Sequence, residues 1–101
     1  MVTHIVFFKL KESAEGASAA ENESVLLEML RTLPQHIPQI KDLEAGKDFS
    51  DSPASYDVGL ITRFDSRQDL ETYRIHPEHQ KVVDFIQKTT SSRAVVDYET
   101  T

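Results

Sequence analysis

Apolar and polar residues alternate along residues 2–11 in a pattern that is typical of a β-strand. One face of this strand carries His4, Val6, Phe8 and Leu10, and the other carries Thr3, Ile5, Phe7 and Lys9. Both faces are apolar in the middle of the strand. We therefore expect this strand to be central in its sheet and covered from both sides.

A helical pattern follows a polar connection, residues 11–23, which the sequence predicts to be mobile. Apolar residues recur at helical spacing over residues 25–33, and Pro34 should end this helix because proline has no backbone N–H to donate. A weaker strand pattern covers residues 40–49. After a turn-forming cluster, a clearer alternating pattern predicts another strand over residues 56–64.

Two short helices are predicted next. Ser66 is a suitable N-cap with an acidic residue three positions later, so the first of these helices should begin near Arg67. Pro77 disfavours helical geometry at His76 and is well suited to the first position of a second helix. Residues 94–99 then form the last predicted strand.

The order strand, helix, strand, strand, helix pair, strand predicts one α+β domain over residues 1–101. It is typical of a ferredoxin-like antiparallel sheet of four strands with helices on one face. We expect Ile5, Phe7, Ile61 and Val95 to share one face of the sheet. The opposite face should carry Val6, Phe8, Leu60 and Val96, and the helices can cover only one of the two. Because contiguous exposed apolar surface usually marks an interface, we predict a homodimer in which two sheets pack together.

Composition narrows the class of protein. A chain of 101 residues with 39% hydrophobic content can bury one core, and no apolar run approaches the length that spans a bilayer. The net charge of −6 without a basic stripe argues against nucleic-acid binding. The chain has no cysteine, so it has neither disulfides nor thiolate ligands. We expect a cytoplasmic protein without membrane or nucleic-acid partners.

Four stretches resemble the stress-responsive A/B barrel family, also called the Dabb or dimeric α+β barrel domain. They are residues 4–11, residues 37–46, the segment Tyr73-x-x-His-Pro-x-His79, and residues 95–98. The resemblance covers essentially the whole chain, and the tyrosine and histidine segment is its specific part. It implies a ferredoxin-like protomer whose sheet pairs with that of a second copy to form a barrel.

The resemblance also implies candidate site residues. Members of the family are known as stress-associated proteins, and one plant member is a cyclase that closes a linear polyketide thioester by aldol condensation. The residues implied to be catalytic in that chemistry match His79, Tyr73, Asp97 and His4 of this sequence.

The residues themselves are suited to proton abstraction without a cofactor. His79 is a candidate general base, since a neutral imidazole titrates near working pH and the positive end of its own helix disfavours the charged form. Tyr73 can donate a hydrogen bond to a developing enolate oxygen, and Asp97 can orient the ring of His79. The function predicted in this way is a lyase or cyclase that acts on a small apolar carbonyl compound.

Each of these residues also has a structural interpretation that involves no catalysis. His79 and Asp97 can satisfy each other inside the fold, and Tyr73 can be a core aromatic whose hydroxyl bonds a backbone group. His76 is better explained as a cap or turn residue, and His4 as a satisfied buried histidine. A metal site from His4, His76 and His79 is conceivable, but no spacing in the sequence enforces one.

The alternative function is a non-catalytic homodimer that acts in stress response or binds a small ligand. A cavity onto which Tyr73, His79 and Asp97 all open would favour the enzyme over this alternative.

Overall fold

The first strand, β1 (Val2–Leu10), lies inside a four-stranded antiparallel sheet, as the apolar character of both its faces predicts. It pairs with β5 (Val58–Phe64) on one side and with β6 (Thr90–Glu99) on the other. Beyond β5, the strand β4 (Asp42–Lys47) completes the sheet, so that β4 and β6 are its two edges. The computed structural model describes residues 1–101.

Three helices cover one face of this sheet. They are α1 (Ala19–His36), α2 (Arg67–Ile75) and α3 (Pro77–Thr89). The order of elements along the chain confirms the predicted ferredoxin-like α+β fold. No helix combines the length and the apolar character that crossing a membrane requires.

The hydrophobic core lies between the helices and the inner face of the sheet. Its buried side chains come from alternate positions of β1 and β5, with Phe8 2% and Phe64 0% exposed. The helices contribute Leu26, Leu30 and Ile86 to the same cluster. Strands with alternating apolar residues and helices with one apolar face therefore pack against each other, as the sequence pattern predicts.

Helix α1 begins earlier than predicted. Ser18 is its N-cap and accepts a hydrogen bond from the backbone N–H of Glu21 at 3.2 Å, while the Glu21 carboxylate accepts one from the Ser18 backbone. Before it, β2 (Ser13–Ala14) and β3 (Ala17–Ser18) form a small hairpin. The expectation of an unstructured connection as far as residue 23 is wrong, because this capping box starts the helix at Ala19.

The same helix also continues past Pro34 to His36, although Pro34 was expected to end it. Only Gln35 and His36 follow the proline within the helix, and the missing N–H of Pro34 removes a single intrahelical hydrogen bond. The backbone N–H of Ile37 bonds the carbonyl of Leu33 at 3.0 Å, and the fully buried Ile37 side chain holds the helix end against the core.

No helix covers the outer face of the sheet, although Tyr56 packs against Phe7 at one end of it. Phe7, Val96 and Tyr98 are 43%, 55% and 45% exposed there, beside half-buried Ile5 and Ile61. We call these five residues the outer apolar patch.

The register between β1 and β6 corrects one assignment in this patch. Ile5 is paired with Val96, and Val6 is paired with Val95. The prediction that Val95 shares a face with Ile5, and Val96 with Val6, is therefore wrong, and the two valines exchange places. Directly paired residues share a face, so only the strand pairing could decide this.

Candidate functional site

A cavity of about 350 Å³ lies between the inner face of the sheet and the pair formed by α2 and α3. Its sheet side is built from three cross-strand pairs of β1 and β6, namely His4 with Asp97, Val6 with Val95, and Phe8 with Arg93. The volume falls within the range of small-molecule sites in proteins. The candidate residues Tyr73, His79, Asp97 and His4 all line this one cavity.

The break between α2 and α3 turns Tyr73 and His79 toward each other. Pro77 occupies the first turn of α3, and His76 before it is extended, with φ −63° and ψ 137°. The Nδ1 atom of His76 accepts a hydrogen bond from the backbone N–H of Glu78 at 3.1 Å. This contact confirms the interpretation of His76 as a helix cap, and the change of direction leaves the rings of Tyr73 and His79 with centroids 4.2 Å apart.

The ring of His79 is held in one orientation and one tautomer. Its Nδ1 atom lies 3.0 Å from the backbone carbonyl oxygen of Arg74. Because a carbonyl can only accept, Nδ1 carries the proton and the lone pair of Nε2 is left for chemistry. Burial lowers the pKa of His79 below its usual value of 6.5. The hydrogen bond to the Arg74 carbonyl opposes this effect, and the nearby charges of His4, Arg74 and His76 add to it, so the net direction is downward. His79 is thus a neutral base near pH 7.

Tyr73 is a core aromatic with an unusual hydroxyl group. Its side chain is 1% exposed and packs against Phe64, with ring centroids 5.1 Å apart. The hydroxyl oxygen is buried and has no hydrogen-bond partner. The alternative in which this hydroxyl bonds a backbone group is therefore wrong. Burial raises the pKa of Tyr73 above its ordinary range, so the group stays protonated and acts as a donor.

Asp97 does not contact His79, contrary to the expectation that it orients that ring. One carboxylate oxygen of Asp97 accepts a hydrogen bond from Nδ1 of His4, its cross-strand partner. The other lies 3.4 Å from the guanidinium of Arg74. The reason is again the strand register, since His4 and Asp97 are directly opposed on β1 and β6, whereas the Nδ1 atom of His79 already donates to a backbone carbonyl.

The site therefore contains two separately oriented histidines. Asp97 holds His4 on the sheet side and the Arg74 carbonyl holds His79 on the helix side, with Tyr73 between them. The ring centroids of His4 and Tyr73 are 6.0 Å apart. No group of three or more potential metal ligands comes together in the chain, so His4, His76 and His79 do not form one.

Two arginines at the cavity were missed by sequence reasoning. Arg74 lies next to Tyr73 in the chain and reaches Asp97, while Arg93 lies on β6 beside Phe8. A strand pattern that continued back from Ala94 would have placed Arg93 on the same face as Val95 and Asp97. No sequence signal indicated the contact between Arg74 and Asp97.

Comparison with known proteins agrees with this architecture. The family described as Dabb, the Stress responsive A/B Barrel Domain, matches residues 2–100. The chain belongs to this family. This Dabb protein is 29% identical over 100 residues to an uncharacterized protein of Streptomyces coelicolor, and the match covers 98% of this chain and 99% of that protein.

The chain is also similar to proteins of known structure. A dimeric protein of unknown function with a ferredoxin-like fold from Bacteroides fragilis is 32% identical, with a TM-score of 0.84, and the match covers 98% of this chain and 95% of that one. The hydroxynitrile lyase of Passiflora edulis is 19% identical, with a TM-score of 0.80 over 96% of this chain and 90% of that enzyme. The second likeness shows a shared fold alone.

Proposed function

We propose that this Dabb protein is a cofactor-independent enzyme that removes a proton from the carbon next to a carbonyl group, in the manner of a lyase or cyclase. The observation that carries the proposal is the buried Tyr73 hydroxyl without a partner at the cavity wall. An unpaired buried hydroxyl costs about 1–3 kcal/mol, and such groups are rarely left unsatisfied. A ligand oxygen in the cavity supplies the missing acceptor once a small movement of neighbouring side chains opens the Tyr73 hydroxyl to the cavity.

The proton transfer follows from the orientation of the two side chains. Nε2 of His79 takes the proton from the substrate carbon, while its Nδ1–H remains bonded to the Arg74 carbonyl, which stabilises the imidazolium that forms. The electron pair of the broken C–H bond moves to the carbonyl oxygen. Tyr73 donates its hydrogen bond to that enolate oxygen. The enolate then expels a leaving group, attacks a second carbonyl, or takes the proton back.

The name of the Passiflora edulis neighbour supports the proposal in a limited way. A lyase can be built on this fold. The transfer of any activity to this chain depends on its own Tyr73, His79, His4 and Asp97, and these residues carry the proposal.

Hydrogen exchange tests the proton abstraction without knowledge of the natural substrate. In D₂O, the wild-type protein should catalyse exchange at the carbons next to the carbonyl of a straight-chain ketone such as methyl hexyl ketone, measured by proton NMR. His79→Gln should lower the catalysed rate by about 100-fold or more, since a positioned general base contributes at least that much. His36→Gln, on an exposed histidine at the end of α1, is the matched control and should have no effect. No exchange above background, or equal rates in wild type and His79→Gln, would contradict the proposal.

The pH dependence of exchange follows from the lowered pKa of His79. Only the neutral ring accepts a proton, so the rate should be constant above pH 6.5 and fall as the pH drops through the lowered pKa. His4, Arg74 and His76 face this ring, and their charges favour its neutral form. A midpoint above 6.5 would show that another group is the base.

A non-catalytic small-ligand-binding protein is the second candidate. The composition of the cavity favours it, because 8 of the 14 lining residues are hydrophobic. In that case the ketone should bind, as measured by ligand-observed NMR, without exchanging its protons.

We also propose that the protein is a homodimer in which the outer apolar patches of two copies pack together to form a barrel. The exposure of Phe7 and Val96 supports this assembly, because a patch of this kind in the middle of a sheet usually marks an interface. The Bacteroides fragilis relative is described as dimeric. A role in stress response and a cytoplasmic location stay predictions.

A further inference from the structure

Arg93 is the one arginine of the chain whose guanidinium has no hydrogen bond or ion pair. The others contact a backbone carbonyl or a carboxylate, namely Arg31 with Ala45, Arg63 with Asp42, Arg67 with Glu99, and Arg74 with Asp97. Arg93 lies on the inner face of β6, paired with Phe8, and lines the cavity. Acidic residues outnumber basic ones by 17 to 11, yet none of them pairs with Arg93, whose side chain is solvent-exposed at the cavity wall and therefore free to contact a ligand.

The cavity has two chemically different ends. Asp97 and Arg93 lie four residues apart on the same face of β6, a separation of about 13 Å along an extended strand. Val95 lies between them and also lines the cavity. Asp97, with its partner His4, therefore marks one end, and Arg93 marks the other beyond an apolar middle.

Helix α3 runs alongside in the opposite direction. It ends at Thr89 and β6 begins at the next residue, so Ile86 lies toward the Arg93 end and His79 toward the Asp97 end. Both walls thus place their acid–base groups at one end, where Arg74 is already paired with Asp97, while Ile86 of α3 and the unpaired Arg93 of β6 lie at the other end.

We infer that Arg93 binds a carboxylate of the substrate, and that the substrate is an elongated oxo acid whose carbonyl lies between Tyr73 and His79. A guanidinium presents planar, paired N–H donors that match the two oxygens of a carboxylate. An apolar chain in the substrate would lie along Val6 and Val95. The position of the carbonyl rests on the proposed function, whereas the position of the carboxylate rests on Arg93.

Calorimetric binding of a charged ligand and its neutral ester tests the role of Arg93. The probes are a straight-chain acid with an acetyl group at one end and a carboxylate at the other, and the methyl ester of the same acid. The wild-type protein should bind the acid up to about 5-fold more tightly than the ester, since an ion pair of an exposed guanidinium typically contributes that much. Arg93→Gln should weaken binding of the acid to the level of the ester and leave the ester unchanged.

Arg67→Gln removes the same charge outside the cavity and should preserve the preference for the acid. Equal binding of acid and ester, no binding of either, or an equal loss of both in Arg93→Gln would overturn the assignment. The binding measurement has no chemical step, so its outcome is independent of proton exchange. A preference for the acid in a protein that catalyses no exchange would contradict the proposed function and retain the role of Arg93.

Discussion

The two faces of the sheet differ sharply although they share the same strands. Phe8 on the inner face is 2% exposed, whereas the adjacent Phe7 on the outer face is 43% exposed. Along β1 and β5 the inner face is packed under the helices, whereas on β6, where Val95 is 47% exposed, it borders the cavity with its oriented histidines. The outer face contains similar apolar residues but no covering element. Apolar residues on the two faces therefore serve different purposes. On the inner face they form a packed core beside the site, and on the outer face they form a surface available to a second copy.

Alanine substitution at the two adjacent phenylalanines should give the largest contrast. Phe8→Ala should lower the free energy of unfolding by about 3–5 kcal/mol, because it leaves a cavity in the core. Phe7→Ala should cost no more than about 1 kcal/mol within a protomer, since surface substitutions rarely cost more. Urea unfolding of both variants as dissociated protomers checks this, because Phe7 also belongs to the proposed dimer interface, and equal losses would mean that the two faces are equally packed within a protomer.

A charge introduced on one face or the other should show which face forms the dimer interface. Val96→Asp places a carboxylate within the outer apolar patch and should weaken the dimer by about 2–3 kcal/mol, because the charge would be buried without a partner. Val95→Asp introduces the same group at the neighbouring position on the inner face and should leave the dimer intact. Sedimentation across a dilution series measures both. A dimer that tolerates Val96→Asp would place the interface elsewhere.

Removing the hydroxyl group of Tyr73 should show that the inner face is not optimised for stability alone. Tyr73→Phe eliminates a buried hydroxyl that has no partner and should raise the free energy of unfolding by about 1 kcal/mol. The same substitution should slow ketone exchange by at least about 10-fold, because the enolate loses its donor. Urea unfolding and exchange in the same variant test this pair of effects. Lower stability would mean that the hydroxyl has a partner in solution.

Local signals in the sequence were sufficient for most of the fold. Ser66 accepts a hydrogen bond from the backbone N–H of Asp69 at 3.1 Å, and α2 begins at Arg67, as its capping signal predicts. Pro77 separates the two short helices at the predicted position. These features depend on a few neighbouring residues, which is why the sequence alone reveals them.

Features that depend on strand register were not predictable in the same way. Alternation separates Val95 from Val96 but does not show which of them faces the helices, and the partner of Asp97 depends on the same pairing with β1. The tautomer of His79 depends on the carbonyl of Arg74, a contact across the helix break. The candidate site could thus be named residue by residue, whereas its hydrogen bonds required the three-dimensional structure.

The position of β6 at the edge of the sheet bears on how this protein family can diversify. One wall of the cavity is formed by alternate residues of a strand that is hydrogen-bonded within the protomer on one side only. Side chains at positions 93 and 95 are partly exposed, so replacing them changes the ligand that fits while disturbing little of the buried core. Substrate preference can therefore evolve, or be engineered, along one strand while the buried core and the proton-transfer residues stay unchanged.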